Sequence, residues 1–138
     1  MKSILLVDDN KAVTDILSVI LTGCMRNVLF RTASNGREAV EILKRQPVDL
    51  ILTDINMPVM NGYGLIEYRN KNHPRVPLVA MTADASPDVN RRLAMLGITE
   101  CLEKPFSYDM VTKVFREKLA DIDGQEPVHE TTALAVCR

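Results

Sequence analysis

The chain of 138 residues has little net charge, few cysteines and no long apolar run. Its formal net charge of -1 gives no general attraction to nucleic acid or to an anionic membrane. The cysteines Cys24, Cys101 and Cys137 are odd in number and irregularly spaced, which argues against a disulfide framework and a zinc site. The first apolar stretch is too short for a signal peptide, and no stretch is long enough to span a membrane. We therefore expect one cytoplasmic domain with a core of ordinary size.

Five short apolar runs alternate with stretches of helical periodicity. The predicted strands end near Val7, Ala33, Thr53, Met81 and Glu103. Short apolar runs that are each followed by a helix are typical of buried parallel strands. Right-handed crossovers then place helices on both faces of the sheet. The pattern predicts an α/β fold, a doubly wound five-stranded parallel sheet.

The periodic pattern also predicts where the domain begins and ends. The first helix starts near Lys11, with Asp9 or Asn10 as its cap. The apolar pattern stops near Ala120, so residues 1–120 are predicted to form the domain and residues 121–138 a tail or the start of a linker. The first helix is expected to have a wide buried face made of Val13, Ile16, Leu17, Ile20, Leu21 and Cys24.

Four of the apolar runs end on residues that are suited to phosphate chemistry. Asp8 and Asp9 follow the first strand, Asp54 the third, Thr82 the fourth and Lys104 the fifth. In an open parallel sheet the ligand crevice lies outside the carboxyl ends of the strands. We therefore expect three carboxylates, one hydroxyl and one ammonium group to meet at one edge of the sheet.

The three predicted neighbouring carboxylates require a cation. Like charges in one pocket repel each other, and Mg2+ prefers hard oxygen ligands of this kind. With Asp54 as nucleophile, the site has the parts that phosphoryl transfer needs, because Thr82 and Lys104 supply donors for phosphoryl oxygens. Each residue alone has a simpler explanation: a helix cap, a turn residue or a surface charge. The coincidence of four strand ends favours a functional site.

The motifs at these strand ends resemble those of a known family. In order and spacing they resemble the receiver domain of two-component response regulators, including the chemotaxis regulators, and the resemblance extends from about Lys2 to Leu119. It implies a flavodoxin-like (βα)5 fold with strand order 2-1-3-4-5. The motifs are Asp8-Asp9, Asp54, Met57-Pro58-Val59-Met60-Asn61-Gly62, Thr82-Ala83 and Lys104-Pro105-Phe106.

The resemblance implies a magnesium site with a particular set of ligands. Asp9 and Asp54 would bind Mg2+ directly, together with the main-chain carbonyl of Asn56. Asp8 would act through water. The metal would therefore depend on the two loops that follow the first and third strands.

The resemblance also implies the phosphoryl chemistry. Asp54 would accept a phosphoryl group from a phosphohistidine on a sensor histidine kinase or a histidine phosphotransfer protein. Thr82 and Lys104 would bind the phosphoryl oxygens, and the Lys104–Pro105 peptide bond is expected to be cis. The chain would be a signalling switch that assists only its own phosphorylation and dephosphorylation.

Three further positions bear on kinetics and output. Asn56 and Asp84 flank the path of attacking water in this family, although both are also ordinary polar loop residues. Receivers commonly carry an aromatic residue three positions before the lysine, whereas this chain has Cys101 there. We therefore expect the usual coupling between threonine and aromatic ring to be absent or altered.

A domain with these motifs has several alternative roles. The domain could stand alone, which is slightly favoured, act as an intermediate in a phosphorelay, or belong to a longer regulator; its output partner or linked domain is not indicated. An aspartyl-phosphate hydrolase would need a second aspartate where Asn56 lies. A flavin-binding module is disfavoured because Asp8 and Asp9 would repel a phosphate without a metal. Neither direct binding of nucleic acid nor membrane association is expected.

Overall fold

Strands and helices alternate along the part of the chain that the structure describes. The computed structural model describes residues 1–123, with side chains described as far as residue 118. The strands are β1 (Lys2–Val7), β2 (Val28–Ala33), β3 (Leu50–Asp54), β4 (Leu78–Thr82) and β5 (Cys101–Glu103). The helices are α1 (Lys11–Cys24), α2 (Gly36–Arg45), α3 (Gly62–Asn72), α4 (Pro87–Met95) and α5 (Tyr108–Asp123).

All five strands form one parallel sheet in the order β2-β1-β3-β4-β5, which confirms the predicted fold. The register aligns the carboxyl ends of the central strands. Val7 is paired with Thr53, and Asp54 with Met81. The loops that follow β1, β3 and β4 therefore begin side by side at one edge of the sheet.

The sheet has a hydrophobic core on each face. Leu5 and Ile51 pack on the side of α2, α3 and α4, whereas Ile4 and Leu52 pack on the side of α1 and α5. Successive side chains of a strand point to opposite faces, and here both faces are covered. This double burial explains why the strands are continuous apolar runs without polar alternation. It gives the site at the strand ends a rigid base.

Local sequence determines where the helices begin and end. The side chain of Asn10 accepts a hydrogen bond from the backbone N–H of Ala12 at 3.0 Å, so Asn10 is the cap of α1. Ser86 accepts one from Val89 at 3.3 Å and caps α4, which has a proline in its first turn. Gly97 has a φ of +83° just after α4, a conformation that suits glycine.

One predicted core residue of α1 is wrong. Ile16 is 55% exposed, whereas Leu17 and Leu21 are fully buried together with Thr14. Residues at positions i, i+3 and i+7 share one helix face, and Ile16 lies about 100° around the helix from Leu17. The buried face of α1 is therefore narrower than the apolar pattern predicts.

The described chain continues past the predicted domain boundary. Helix α5 extends to Asp123, three residues beyond Ala120. Residues 124–138 lie outside the described part, so the tail or linker stays a prediction, as does any expectation that involves Cys137. Among the described residues, no helix combines the length and hydropathy that crossing a membrane requires.

Candidate functional site

An acidic cluster lies at the carboxyl ends of β1 and β3. Asp8 and Asp9 directly follow β1, and Asp54 is the last residue of β3. One carboxylate oxygen from each of the three lies within 4.8 Å of the others. Asp8 and Asp54 are only 3% and 6% exposed, whereas Asp9 is exposed to solvent. The three carboxylates that the sequence predicts to converge are thus together in one crevice.

Lys104 reaches this cluster from the end of β5. Its Nζ lies 2.6 Å from Oδ2 of Asp8 and 3.4 Å from Oδ1 of Asp54. The backbone N–H of Lys104 donates to the carbonyl of Thr82 at 2.7 Å, which fixes the lysine beside β4. The peptide bond between Lys104 and Pro105 is cis, as expected. One ammonium group therefore contacts two of the three carboxylates.

The electrostatics of the site do not favour the ionised form of Asp54. Burial raises the pKa of Asp54, and the negative charge of Asp8 raises it further. The charge of Lys104 and a 2.9 Å hydrogen bond from the N–H of Ile55 lower it, but the net pKa lies above the ordinary aspartate value. Additional positive charge near Asp54 would therefore stabilise its carboxylate.

The surroundings of Lys104 favour its charged form, in contrast to those of Asp54. Burial alone would lower its pKa, but the hydrogen bond to Asp8 and the charges of Asp54 and Asp8 outweigh that effect. The net result is a pKa above the ordinary lysine value. The ammonium group therefore stays charged at neutral pH and remains a fixed cation of the site.

The backbone of Asp54 is held closely on both sides. The hydroxyl of Thr53 donates to the Asp54 carbonyl at 2.9 Å, and the N–H of Gly62 donates to the Ile55 carbonyl at 2.8 Å. A Cβ at Gly62 would lie 2.3 Å from the Asp54 carbonyl oxygen and 2.8 Å from Cα of Ile55. Only glycine fits this approach. The sequence indicates a turn at Asn61-Gly62 but does not reveal this packing against Asp54.

Thr82 is buried beside the cluster, with its hydroxyl bonded to the following loop. The hydroxyl donates to the carbonyl of Asp84 at 3.0 Å and accepts from the N–H of Asp84 at 3.0 Å. The side chain of Thr82 is therefore engaged by its own loop in this structure. The sequence places Thr82 at the crevice but gives no sign of this local pair.

The loop between β3 and α3 has an unusual backbone. Val59 has a φ of +68° and is 75% exposed, although a β-branched residue rarely adopts this left-handed conformation. The next residue, Met60, accepts a hydrogen bond on its carbonyl from the N–H of Gly36 at 2.8 Å. Asn56 is exposed near the start of the same loop. The loop after Asp54 is thus tied to the first residue of α2.

Cys101 is a free thiol that is partly buried in β5. Burial raises the pKa of this thiol, and the charge of Glu103 raises it further. A thiol with a raised pKa is a poor nucleophile at neutral pH. The position three residues before Lys104 therefore carries a small protonated side chain, with no aromatic ring to change its exposure.

Known proteins are similar to this chain in sequence and in fold. The family model of the response regulator receiver domain matches residues 4–116. Response regulator protein PilR of Pseudomonas aeruginosa is 37% identical over 101 residues, which are 73% of this chain and 22% of PilR. Sensor histidine kinase RcsC of Escherichia coli is 32% identical over 81 residues, which are 59% of this chain and 8% of RcsC. This chain therefore spans less than a quarter of the length of either relative.

A solved structure confirms the fold. Chemotaxis response regulator CheY4 of Vibrio cholerae is 28% identical and superimposes with a TM-score of 0.77, over 86% of this chain and 98% of CheY4. The family model covers most of the chain, and the sheet has the strand order 2-1-3-4-5 that the resemblance implies. The chain belongs to the response regulator receiver domain family of two-component signalling.

Proposed function

We propose that this receiver domain is a phosphorylation-dependent switch in which Asp54 is the phosphoacceptor. The donor is a phosphohistidine of a sensor histidine kinase or of a histidine phosphotransfer protein, in the cytoplasm. The observation that supports this best is the buried carboxylate of Asp54, with Asp8 and Asp9 within 4.8 Å and Lys104 at 3.4 Å.

The chemical step is a transfer of one phosphoryl group from nitrogen to oxygen. An oxygen of the Asp54 carboxylate attacks phosphorus as the phosphorus–nitrogen bond breaks. The imidazole nitrogen leaves with the electron pair of that bond and takes up a proton from solvent. Lys104 stays protonated at neutral pH, so it offsets the charge of the transferred group without taking part as an acid.

The donor set fits Mg2+. We propose that Asp9 and Asp54 bind the ion directly with the main-chain carbonyl of Asn56, and that Asp8 acts through water. Asp8 is held by Lys104 at 2.6 Å, which supports an indirect role for its carboxylate. When bound, Mg2+ supplies positive charge to the crowded carboxylates and to the phosphoryl oxygens.

Thr82 would change partners when Asp54 is phosphorylated. A phosphoryl group offers strong acceptor oxygens close to β4, and the Thr82 hydroxyl can donate to only one acceptor. We propose that it leaves the carbonyl of Asp84 and donates to the phosphoryl group, together with Lys104. The loop after β4 then loses a hydrogen bond that holds it in the present structure.

A phosphorelay role is the second candidate, because RcsC, which bears a similar segment, is itself a sensor histidine kinase. In a relay, the domain would pass its phosphoryl group on to another histidine. In a terminal regulator it would control an output partner or a linked domain. In both cases the domain assists only its own phosphorylation and dephosphorylation.

Phosphorylation by a small phosphodonor tests the assignment directly. With Mg2+ present, intact-mass measurement should show one added phosphoryl group on the parent protein. Asp54→Asn should abolish it, whereas Asp88→Asn should leave it intact, because the Asp88 side chain is 87% exposed on α4. Labelling of Asp54→Asn at the parent level would show that another residue is the acceptor.

A further inference from the structure

A cation–π contact joins α3 to α4. The guanidinium carbon of Arg92 lies 3.9 Å from the centroid of the Tyr63 ring. Tyr63 is only 8% exposed, and Arg92 extends over it from the surface of α4. A guanidinium group at this distance from an aromatic face is attracted by the ring quadrupole.

Helix α4 has few other attachments within the described residues. Of its nine residues, Leu93 is the one that is buried. Just past the helix, the side-chain amide of Asn70 on α3 donates to the carbonyl of Leu96 at 2.9 Å. A short helix with one buried side chain belongs to the less stable parts of a domain. Val89 and Leu96 are partly buried against the same core as Leu93, so the contact between Arg92 and Tyr63 adds to a small set of contacts that hold α4 in place.

The Tyr63 side of this contact is fixed relative to the phosphoacceptor. Tyr63 follows Gly62, which packs directly on the carbonyl of Asp54 and donates to the carbonyl of Ile55 at 2.8 Å. The phenol ring therefore belongs to the same rigid unit as Asp54.

The Arg92 side is linked to the part of the site that we expect to move. Residues 83–86 join Thr82 to the first turn of α4, and Ser86 caps that helix. When Thr82 leaves Asp84, this loop and the start of α4 are free to shift. Arg92 moves with α4, whereas the Tyr63 ring stays with Asp54.

We propose that Arg92 and Tyr63 form a latch that holds α4 in the position of the unphosphorylated protein. The inference rests on the proposed function, because it requires that a phosphoryl group at Asp54 favours a second position of α4. A contact made in only one of two states biases the equilibrium between them. By linkage, removing the latch must strengthen binding of any ligand that favours the other state.

The affinity of the protein for beryllofluoride, a phosphoryl mimic, tests this proposal. At fixed Mg2+, Arg92→Ala should bind it about two- to five-fold more tightly than the parent, which is the factor expected for one exposed cation–π contact. Tyr63→Leu should do the same. Hydrogen exchange in Pro87–Met95 should also be faster in Arg92→Ala without the mimic.

Two matched controls keep the test specific. Tyr63→Phe retains the ring and should bind like the parent. Arg91→Ala removes a neighbouring exposed arginine that pairs with Asp88 at 3.2 Å, and should also bind like the parent. The double variant of Arg92→Ala and Tyr63→Leu should bind no more tightly than either single variant, because both remove the same contact.

A contact that only stabilises α4 equally in both states would leave the affinity unchanged. Parent-like affinity of Arg92→Ala, or additive effects in the double variant, would therefore overturn the latch while leaving the proposed function intact. A parent protein that does not bind beryllofluoride at all would instead overturn the proposed function, and the latch with it.

Discussion

Replacement of Gly62 by alanine should lower the stability of the domain and displace Asp54, the proposed phosphoacceptor. The added Cβ would lie 2.3 Å from the Asp54 carbonyl oxygen, about 0.7 Å closer than the 3.0 Å that real contacts respect. Both nearest neighbours, in Asp54 and Ile55, are backbone, so no side chain can move aside. Overpacking of this kind costs about 1–3 kcal/mol, and we expect the upper end of that range.

The gain in helix propensity does not offset this cost. Alanine in place of glycine is worth at most about 1 kcal/mol inside a helix, and Gly62 is only the first residue of α3. We therefore expect a net loss of about 2–3 kcal/mol, or on the order of 10 °C in melting temperature for a domain of this size. Displacement of Asp54 by several tenths of an ångström should slow phosphorylation by a small phosphodonor roughly 10- to 100-fold.

Urea unfolding in metal-free buffer measures the free energy of unfolding of Gly62→Ala, and alanine substitutions at two other glycines serve as controls. Gly64→Ala meets the flexible side chain of Met60 at 2.9 Å, so its cost should be smaller. Gly23→Ala meets nothing within 4 Å and should be neutral or stabilising by about 0.5 kcal/mol. If Gly62→Ala unfolds at the same urea concentration as the parent, the close approach to Asp54 does not constrain this position.

Further predictions concern charge, metal, backbone strain and output. Asp54→Asn should be more stable than the parent in metal-free buffer at neutral pH. Because the pKa of Asp54 is raised, its ionised form destabilises the folded state, and the stability difference between the two proteins should vanish as the pH falls below 3.8. Equal urea midpoints of Asp54→Asn and the parent at pH 7 would contradict this expectation. Mg2+ at ten times its dissociation constant should stabilise the parent by about 1.4 kcal/mol, and Asp9→Ala should remove most of that stabilisation. Identical melting curves of the parent in Mg2+ and in chelator would exclude the metal site. Val59→Gly should raise the free energy of unfolding by about 0.5–1 kcal/mol, because it relieves the φ of +68° at an exposed side chain; a lower urea midpoint would refute the strain. With Cys101 in place of an aromatic ring, beryllofluoride should change hydrogen exchange mainly in the loop of residues 83–86 and in α4. Strong new protection across β5 would show that the missing ring does not matter.

The fold was predictable because its determining pattern is local. Each strand is a short apolar run followed by a helix, and the crevice rule then brings the strand ends together without any knowledge of contacts. Asp8, Asp54 and Lys104 met at one site for this reason. The exposure of Ile16 was not predictable in the same way, because periodicity defines an apolar face but not the angle at which the helix packs.

Contacts between distant elements could not be read from the sequence. The approach of Gly62 to Asp54 depends on how the loop after β3 returns to the sheet. The contact of Tyr63 with Arg92 depends on the packing of α3 beside α4. Neither residue type indicates its partner, since glycine is also common in turns and arginine on helix surfaces.

The charges in the crevice explain why a hydroxyl donor is needed besides a metal. Three carboxylates and one ammonium leave two negative charges, which one divalent cation can neutralise. The proposed phosphorylation of Asp54 would replace a singly charged carboxylate by a group that carries about two charges, so the crevice would again become negative. The single charge of Lys104, which also contacts Asp8, is already included in this balance. Thr82 is the nearby buried donor whose present partner is an uncharged loop carbonyl. Its proposed transfer to the phosphoryl group would therefore exchange a weak acceptor for a charged one, and would give the phosphorylated state a contact that the unphosphorylated state lacks.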